Sequence, residues 1–240
     1  MRVSDFLFRG QADARWNLDT TLERVYPDAL EAKRYYSAAW YALPEIEAHT
    51  GKLWEIPAPD DYDQWIDQQR MFGWEDVKAL EYFVYLRHHG FPSPLLDWTQ
   101  SPFIAAYFAM SSARVDVPRA GIYAYMEFAG GSKGRSSLRP GIRTIGHTVR
   151  THRRHFLQQS EYTFCTKKVG SSWYYANHAD AFGRLEHGPD QRQDLVWRFT
   201  IPTSERTPVL RQLDRFNLNA FSLFGSEEGL METAAFRAFT

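Results

Sequence analysis

The sequence predicts an α+β protein, and three observations carry that expectation. Helical periodicity dominates from Pro27 to His89. Segments rich in aromatic and β-branched residues follow it. No Walker motif and no GxGxxG turn follows a strand, which sets a mononucleotide-binding fold aside. At 240 residues the chain is long enough for a substantial core. No internal repeat or linker divides it, so residues 1–240 are expected to form a single domain.

In "DFLFRG", Phe6 and Phe8 alternate with Leu7 and lead into Arg9-Gly10. This reads as a strand at an edge of the fold that ends at a tight backbone site. Tyr62, Trp65, Ile66 and Gln69 share one helical spacing, and Val77, Leu80, Phe83, Val84 and Leu86 repeat near the helical period. Gly90 and Pro92 end that helix. Next comes "SPLLDWTQSPFIAAYFAMSSAR", Ser93 to Arg114, which predicts a buried strand running into a buried helix. Asp97, Thr99, Gln100 and Ser101 stand at the junction of the two. Ser101-Pro102 is a helix start, with Ser as N-cap and Pro in the first turn. Phe103, Ile104, Tyr107 and Phe108 supply the apolar face, and Ala105, Ala106 and Ala109 permit close approach. Capping accounts for Ser101 but leaves Asp97, Trp98 and Thr99 unexplained, because a strand tip needs none of them.

A strand is expected over Gly121–Ala129, then an exposed, mobile loop at "GGSKGRSSLRPG". "EYTFCTKKV" and "DLVWRFTIP" read as strands. "TSERTPVLRQLDRF" and "SEEGLMETAAFRAF" read as closing amphipathic helices.

Aromatic residues make up 16% of the chain, with eight Trp and thirteen Tyr. Such side chains bury large areas around a polar tip and suit a core with internal hydrogen bonds or a wet cleft. The formal net charge of −1 gives no whole-protein field toward nucleic acid or membrane. A single cysteine, Cys165, excludes a disulfide framework and a Cys-rich zinc site. With no charged segment leading an apolar core at the start, and no apolar run of the ~18 residues a membrane span requires, a soluble cytoplasmic protein is expected. Between Arg119 and Lys168 ten Lys/Arg face two Glu. That stretch is either a solvated face or a basic rim for a polyanion or a pyrophosphate. His88-His89 closes a helix, where a cation favours the negative end of the dipole. His152 and His155 have i, i+3 spacing without a thiol or acidic partner, so no metal is expected.

The blocks "FLFRGQ", "LRHHGFPSPLLDWTQSPFIAAYFA", "LQQSEYTF", "VWRFTIPT" and "LFGSEEGL" resemble, in order and across nearly the whole chain, those of the FRG domain family, named for its Phe/Tyr-Arg-Gly motif. A weaker similarity links the order Arg9-Gly10, Thr99 with Ser101, and Gln159-Ser160-Glu161 to toxin-type ADP-ribosyltransferases, with Asp-Trp-Thr-x-Ser here in place of their Ser-Thr-Ser. That similarity implies a split β-sheet with a helical segment between the first strands and the Leu-Leu-Asp-Trp-Thr block. It implies NAD⁺ as the cofactor and a macromolecular acceptor, protein or nucleic acid. A bacterial toxin or antiphage effector, with an antitoxin or regulator as partner, would fit it.

The implied roles are chemically coherent. Cleaving the nicotinamide–ribose bond passes through an oxocarbenium-like state, which assigns Glu161 to stabilise the developing charge. Arg9 offers a permanent, bidentate charge to pyrophosphate. Gly10 lets the backbone approach the nicotinamide amide, and Thr99 or Ser101 orients Glu161. Gln159 presents the acceptor, and Trp98 or Tyr162 stacks on the nicotinamide ring. Gln11 and Asp97 complete the expected cofactor-binding set, and His88 or His89 is placed beside the cleft. The residues also permit plainer readings. Arg9 can pair with Asp97 to join two strands, Gly10 can serve a turn, Trp98 can be core, and Glu161 can face solvent. Two rival functions stay open: a non-catalytic nucleotide- or peptide-binding module, and a nucleic-acid-binding protein using residues 119–168.

Overall fold

The computed structural model describes residues 5–70, 72, 79–114, 116–127, 139–146, 149, 151, 153–182 and 194–240. The first strand, β1 (Phe6–Gln11), leads to a helical run: α1 (Thr21–Val25), α2 (Ala32–Thr50), α3 (Pro59–Gln68) and α4 (Leu80–His88). The junction motif then gives β2 (Leu96–Thr99) and α5 (Pro102–Ser111). Beyond it come β3 (Arg119–Glu127), β4 (Gly141–Ile145), α6 (Arg153–Leu157), β5 (Ser160–Val169), β6 (Ser172–Tyr175) and α7 (His178–Ala181). The described chain closes with β7 (Asp194–Pro202), α8 (Arg206–Arg215), α9 (Ala220–Phe224) and α10 (Glu227–Phe239). The fold is α+β, as the sequence predicts, and among the described residues it is built around one antiparallel seven-stranded sheet. The strand order is β4-β5-β2-β1-β3-β7, with β6 paired to the second half of β5.

Local chemistry explains the main boundaries. Thr20 caps α1 in a reciprocal box with Glu23, and Ser101 caps α5 with Pro102 in its first turn, so both starts satisfy otherwise orphaned N–H groups. Three apolar clusters hold the layers together. Under α2, α3 and α4 the core is aromatic: the Tyr36 and Tyr62 rings stack at 3.7 Å, and Tyr35, Phe83, Tyr162 and Phe164 are buried with them. A second cluster gathers Leu7, Leu96, Trp98, Tyr125 and Cys165. A third joins α5 to α8 and α9 through Ile104, Tyr107, Met110, Leu210 and Leu223.

Several expectations change. β1 is central rather than at an edge, paired to β2 on one flank and β3 on the other. Early position in the chain does not set lateral position, and the buried Leu7 marks a strand enclosed by later ones. Phe103 is 55% exposed rather than part of the apolar face of α5. It follows Pro102 in the first turn, ahead of the residues that meet the sheet. The strand expected at Gly121–Ala129 starts earlier, at Arg119, and its last two residues lie outside those described. So does most of the "GGSKGRSSLRPG" loop, whose final glycine begins β4, and so does His152. Cys165 is buried. Among the described residues no helix is long and apolar enough to cross a membrane.

Candidate functional site

The candidate residues gather around β2, a four-residue strand between β1 and β5. β1 pairs with β3 along its whole length, from Phe6 to Gln11, but meets β2 at one bridge, Phe8 opposite Thr99. Charged side chains fill the seam beyond that bridge. Arg9 donates from Nη1 to the Asp97 carbonyl oxygen at 2.7 Å, with the same nitrogen 3.9 Å from Asp97 Oδ2. Arg87, in the last turn of α4, ion-pairs with Asp97 Oδ2 through Nη2. The Arg9 and Arg87 side chains are 13% and 16% exposed, and that of Asp97 is 35% exposed. Among the described residues the buried Nε atoms of both arginines and Oδ1 of Asp97 have no hydrogen-bond partner. Burial pushes the Arg9 guanidinium down to about 10, with the Asp97 charge opposing. Burial also works against ionised Asp97, but the Arg87 and Arg9 charges outweigh it and hold its carboxyl below the ordinary value.

Gly10 has a different task from the one expected. A Cβ there would lie 1.9 Å from the Ala105 carbonyl oxygen and 2.7 Å from the Ala109 nitrogen. Its bare Cα lets α5 lie directly on the sheet, so the close approach is made by a helix and not by a ligand. Gln11 is buried beside it on the same strand, donating from Nε2 to the Asn17 carbonyl oxygen at 2.9 Å, while its Oε1 has no partner among the described residues.

Trp98 is core. Its ring lies 5.3 Å from that of Tyr125, and its Nε1–H donates to Thr163 Oγ1 at 2.7 Å. With its ring packed and its N–H used, it offers no stacking face, which corrects its place in the cofactor set. Thr99 Oγ1 accepts the Ser101 N–H at 3.2 Å, and Ser101 Oγ accepts from Ile104 N at 3.4 Å. Both hydroxyls serve the strand-to-helix turn, and neither orients Glu161. Gln100 does: its Nε2 donates to Glu161 Oε1 at 3.0 Å. Gln100 also donates its backbone N–H to the Gln159 carbonyl oxygen at 3.1 Å.

Glu161 sits opposite Trp98 in the β2–β5 ladder and is fully buried. The reading that places it on a solvent-facing position is therefore set aside. Gly146, with φ of 140°, makes room for it: a Cβ there would lie 3.2 Å from Glu161 Oε2. Gln159 is exposed, outside the strand, in a turn with a left-handed φ of 48°. Tyr162 is buried as well, so it too offers no stacking face. Its hydroxyl lies 2.8 Å from His88 Nε2 and 2.9 Å from His155 Nδ1. Burial, then the neighbouring His88, pushes His155 down to about 4, so this array holds neutral imidazoles at neutral pH.

The structure thus brings Arg9 to Asp97 and Gln100 to Glu161 on opposite flanks of β2, and spends Gly10, Trp98, Thr99 and Ser101 on the fold. Sequence reasoning missed Arg87 altogether and gave Gln100 no role, although Arg87 lies one turn before the helix stop and Gln100 stands inside the quoted junction. Among the described residues the basic stretch does not form one patch. Arg119 begins β3, bonded to Thr200 of β7, whereas Arg143 and Lys168 lie on β4 and β5, across β2 and β1 from it. Lys133, Arg135 and Arg150 fall outside the described residues. Among the described residues no group of three or more His, Cys, Asp or Glu is placed to hold a metal ion.

Residues 4–117 match the family model of the FRG domain. That segment is what the chain shares with FRG domains. The match takes in β1, the first five helices and β2, and with them Arg9, Arg87, Asp97 and Gln100. It stops short of the later blocks that resemble the family, so Glu161, Tyr162 and His155 lie beyond the matched FRG segment. No curated protein and no solved structure matches the chain.

Proposed function

We propose that this protein is an NAD-dependent ADP-ribosyltransferase that modifies a macromolecular acceptor, protein or nucleic acid, and hydrolyses NAD⁺ when no acceptor is present. One observation carries the reading. Consecutive residues of β2 touch the two groups such chemistry needs, Asp97 meeting the Arg9 cation and Trp98 lying opposite the buried Glu161 carboxylate. Neighbouring strands lie about 4.8 Å apart, so groups on the two flanks of β2 suit a ligand that runs from a pyrophosphate to a ribose. The single bridge between β1 and β2 favours a split-sheet arrangement.

The site fits a dinucleotide in one respect: among the described residues the buried Arg9 Nε lacks an acceptor. NAD⁺ supplies a glycosidic bond whose breaking leaves an electron-poor sugar. Glu161, held by Gln100, stabilises that positive charge with a preoriented carboxylate. Arg9 grips phosphate oxygens with its fork. Gln159, exposed just ahead of β5, faces the side from which an acceptor arrives.

Labelled NAD⁺ tests the proposal through nicotinamide release. Glu161→Gln is expected to lower release at least 100-fold, the scale of losing a preorganised charge stabiliser, and Arg9→Ala to raise KM. Equal release by wild type and Glu161→Gln overturns the assignment. Because Gly10, Trp98, Thr99 and Ser101 all serve the fold, a binding-only module is the second reading. Saturable NAD⁺ binding without nicotinamide release selects it.

A further inference from the structure

We propose that Arg9 and Arg87 form a two-pronged phosphate receptor which Asp97 occupies until the phosphate of a ligand displaces it. The inference deepens the nucleotide reading above and rests on it for the identity of the ligand as a nucleoside diphosphate group. Asp97 engages both cations through a single oxygen, Oδ2, while among the described residues Oδ1 has no donor and each guanidinium keeps a buried Nε–H without an acceptor. A carboxylate therefore satisfies this pair incompletely. A phosphate has more oxygens, and pyrophosphate more still, so it can meet the vacant donors as well as the occupied ones.

Charge points the same way. Two buried cations share one acid, and Arg24 adds a further positive charge within Coulombic reach of Arg9. Position does too. The acid is the most exposed member of the trio, so it can swing toward water while the cations stay put. Arg9 is pinned independently, because its Nη1 also donates to the Asp97 backbone carbonyl oxygen. That bond survives when the carboxylate leaves. Asp97 is then a competitor built into the receptor, setting a threshold that weak anions do not pass.

Calorimetric titration of the full chain with inorganic pyrophosphate and, in parallel, ADP-ribose tests the proposal. Asp97→Asn is expected to tighten pyrophosphate binding at least fivefold and Arg87→Gln to weaken it at least tenfold. In the double variant the gain from Asp97→Asn should vanish, since the vacated receptor has lost a prong. A gain of the same size without Arg87 would mark a diffuse charge effect and overturn the proposal, as would absence of binding by both wild type and Asp97→Asn. Asp97→Asn leaves two buried cations uncompensated, so thermal midpoints give a second readout: pyrophosphate should raise the midpoint of this variant more than that of wild type. Nicotinamide release separates the two levels. Arg87-dependent pyrophosphate binding without nicotinamide release keeps the receptor and removes the transferase. Release by all variants with unchanged pyrophosphate affinity does the reverse.

Discussion

The two flanks of β1 differ in what joins them to their neighbours. Toward β3 the backbone ladder is continuous from Phe6 to Gln11, and the adjoining face is closed by α5 resting on Gly10. Toward β2 the ladder is reduced to Phe8 and Thr99, and side chains of opposite charge fill the gap. Where main-chain groups satisfy each other, the residues answer to packing. Where they do not, Arg9 reaches across to satisfy the Asp97 carbonyl, and an ion cluster takes the place of a ladder. On the second flank, among the described residues, Arg9, Arg87 and Asp97 keep buried polar atoms with bonding capacity unspent.

The largest expected effect breaks the closed flank. Gly10→Ala puts a methyl group within 1.9 Å of a backbone oxygen, which no rotamer change relieves. A loss of about 3 kcal/mol or more is expected, read from urea unfolding. A loss below about 1 kcal/mol would mean that α5 does not rest on the strand.

The next effect probes the open flank through pH. His178 is fully buried, its Nε2 lies 2.9 Å from Thr163 Oγ1, and burial followed by the Arg9 charge pushes it down to about 3. Its unfolded value is about 6.5. The folded state therefore refuses a proton that the unfolded state accepts. This contribution is whole above about pH 6.5 and falls by about 1.4 kcal/mol per pH unit below it, until the folded value is reached. At pH 5 that loss is about 2 kcal/mol. His178→Gln should flatten the slope of unfolding free energy against pH. Arg9→Met should raise the imidazole pKa read by NMR, whereas an unmoved value would place Arg9 too far away to matter.

The smallest effect lies where the two flanks are joined, at the entry to α5. Ser101→Ala removes an N-cap and should cost about 1 kcal/mol in thermal or urea unfolding. A cost well above that would give Ser101 a task beyond capping.

Local signals were legible to the residue. β7 occupies Asp194–Pro202, the stretch its aromatic and β-branched composition marks, and Ser101-Pro102 starts α5 as its chemistry requires. What stayed hidden depends on partners far along the chain. β4 and β6 are short strands that exist as such through pairing with β5. Gly10 looks like a turn or ligand glycine until a helix some 95 residues later is seen lying on it. Trp98 finds its acceptor in Thr163 of the next strand, a pairing that no spacing within "LLDWT" encodes. The Arg9–Asp97 contact was one of two readings of those residues. The orienting of Glu161 by Gln100 rather than by Thr99 or Ser101 was not foreseen, because side-chain direction at the end of β2 follows the turn into α5 and not strand alternation.

The boundary of the family match has a practical cost. A fragment cut at residue 117 would retain β1 and β2, which share one bridge, and would lose β3 and β5, the strands that flank them. Both outer rims of that pair would be stripped of hydrogen-bonding partners, and a two-stranded remnant is marginal in water. Bare rims recruit copies of themselves, so such a truncation should precipitate or form ill-defined oligomers. Recombinant work on this module needs the downstream strands attached.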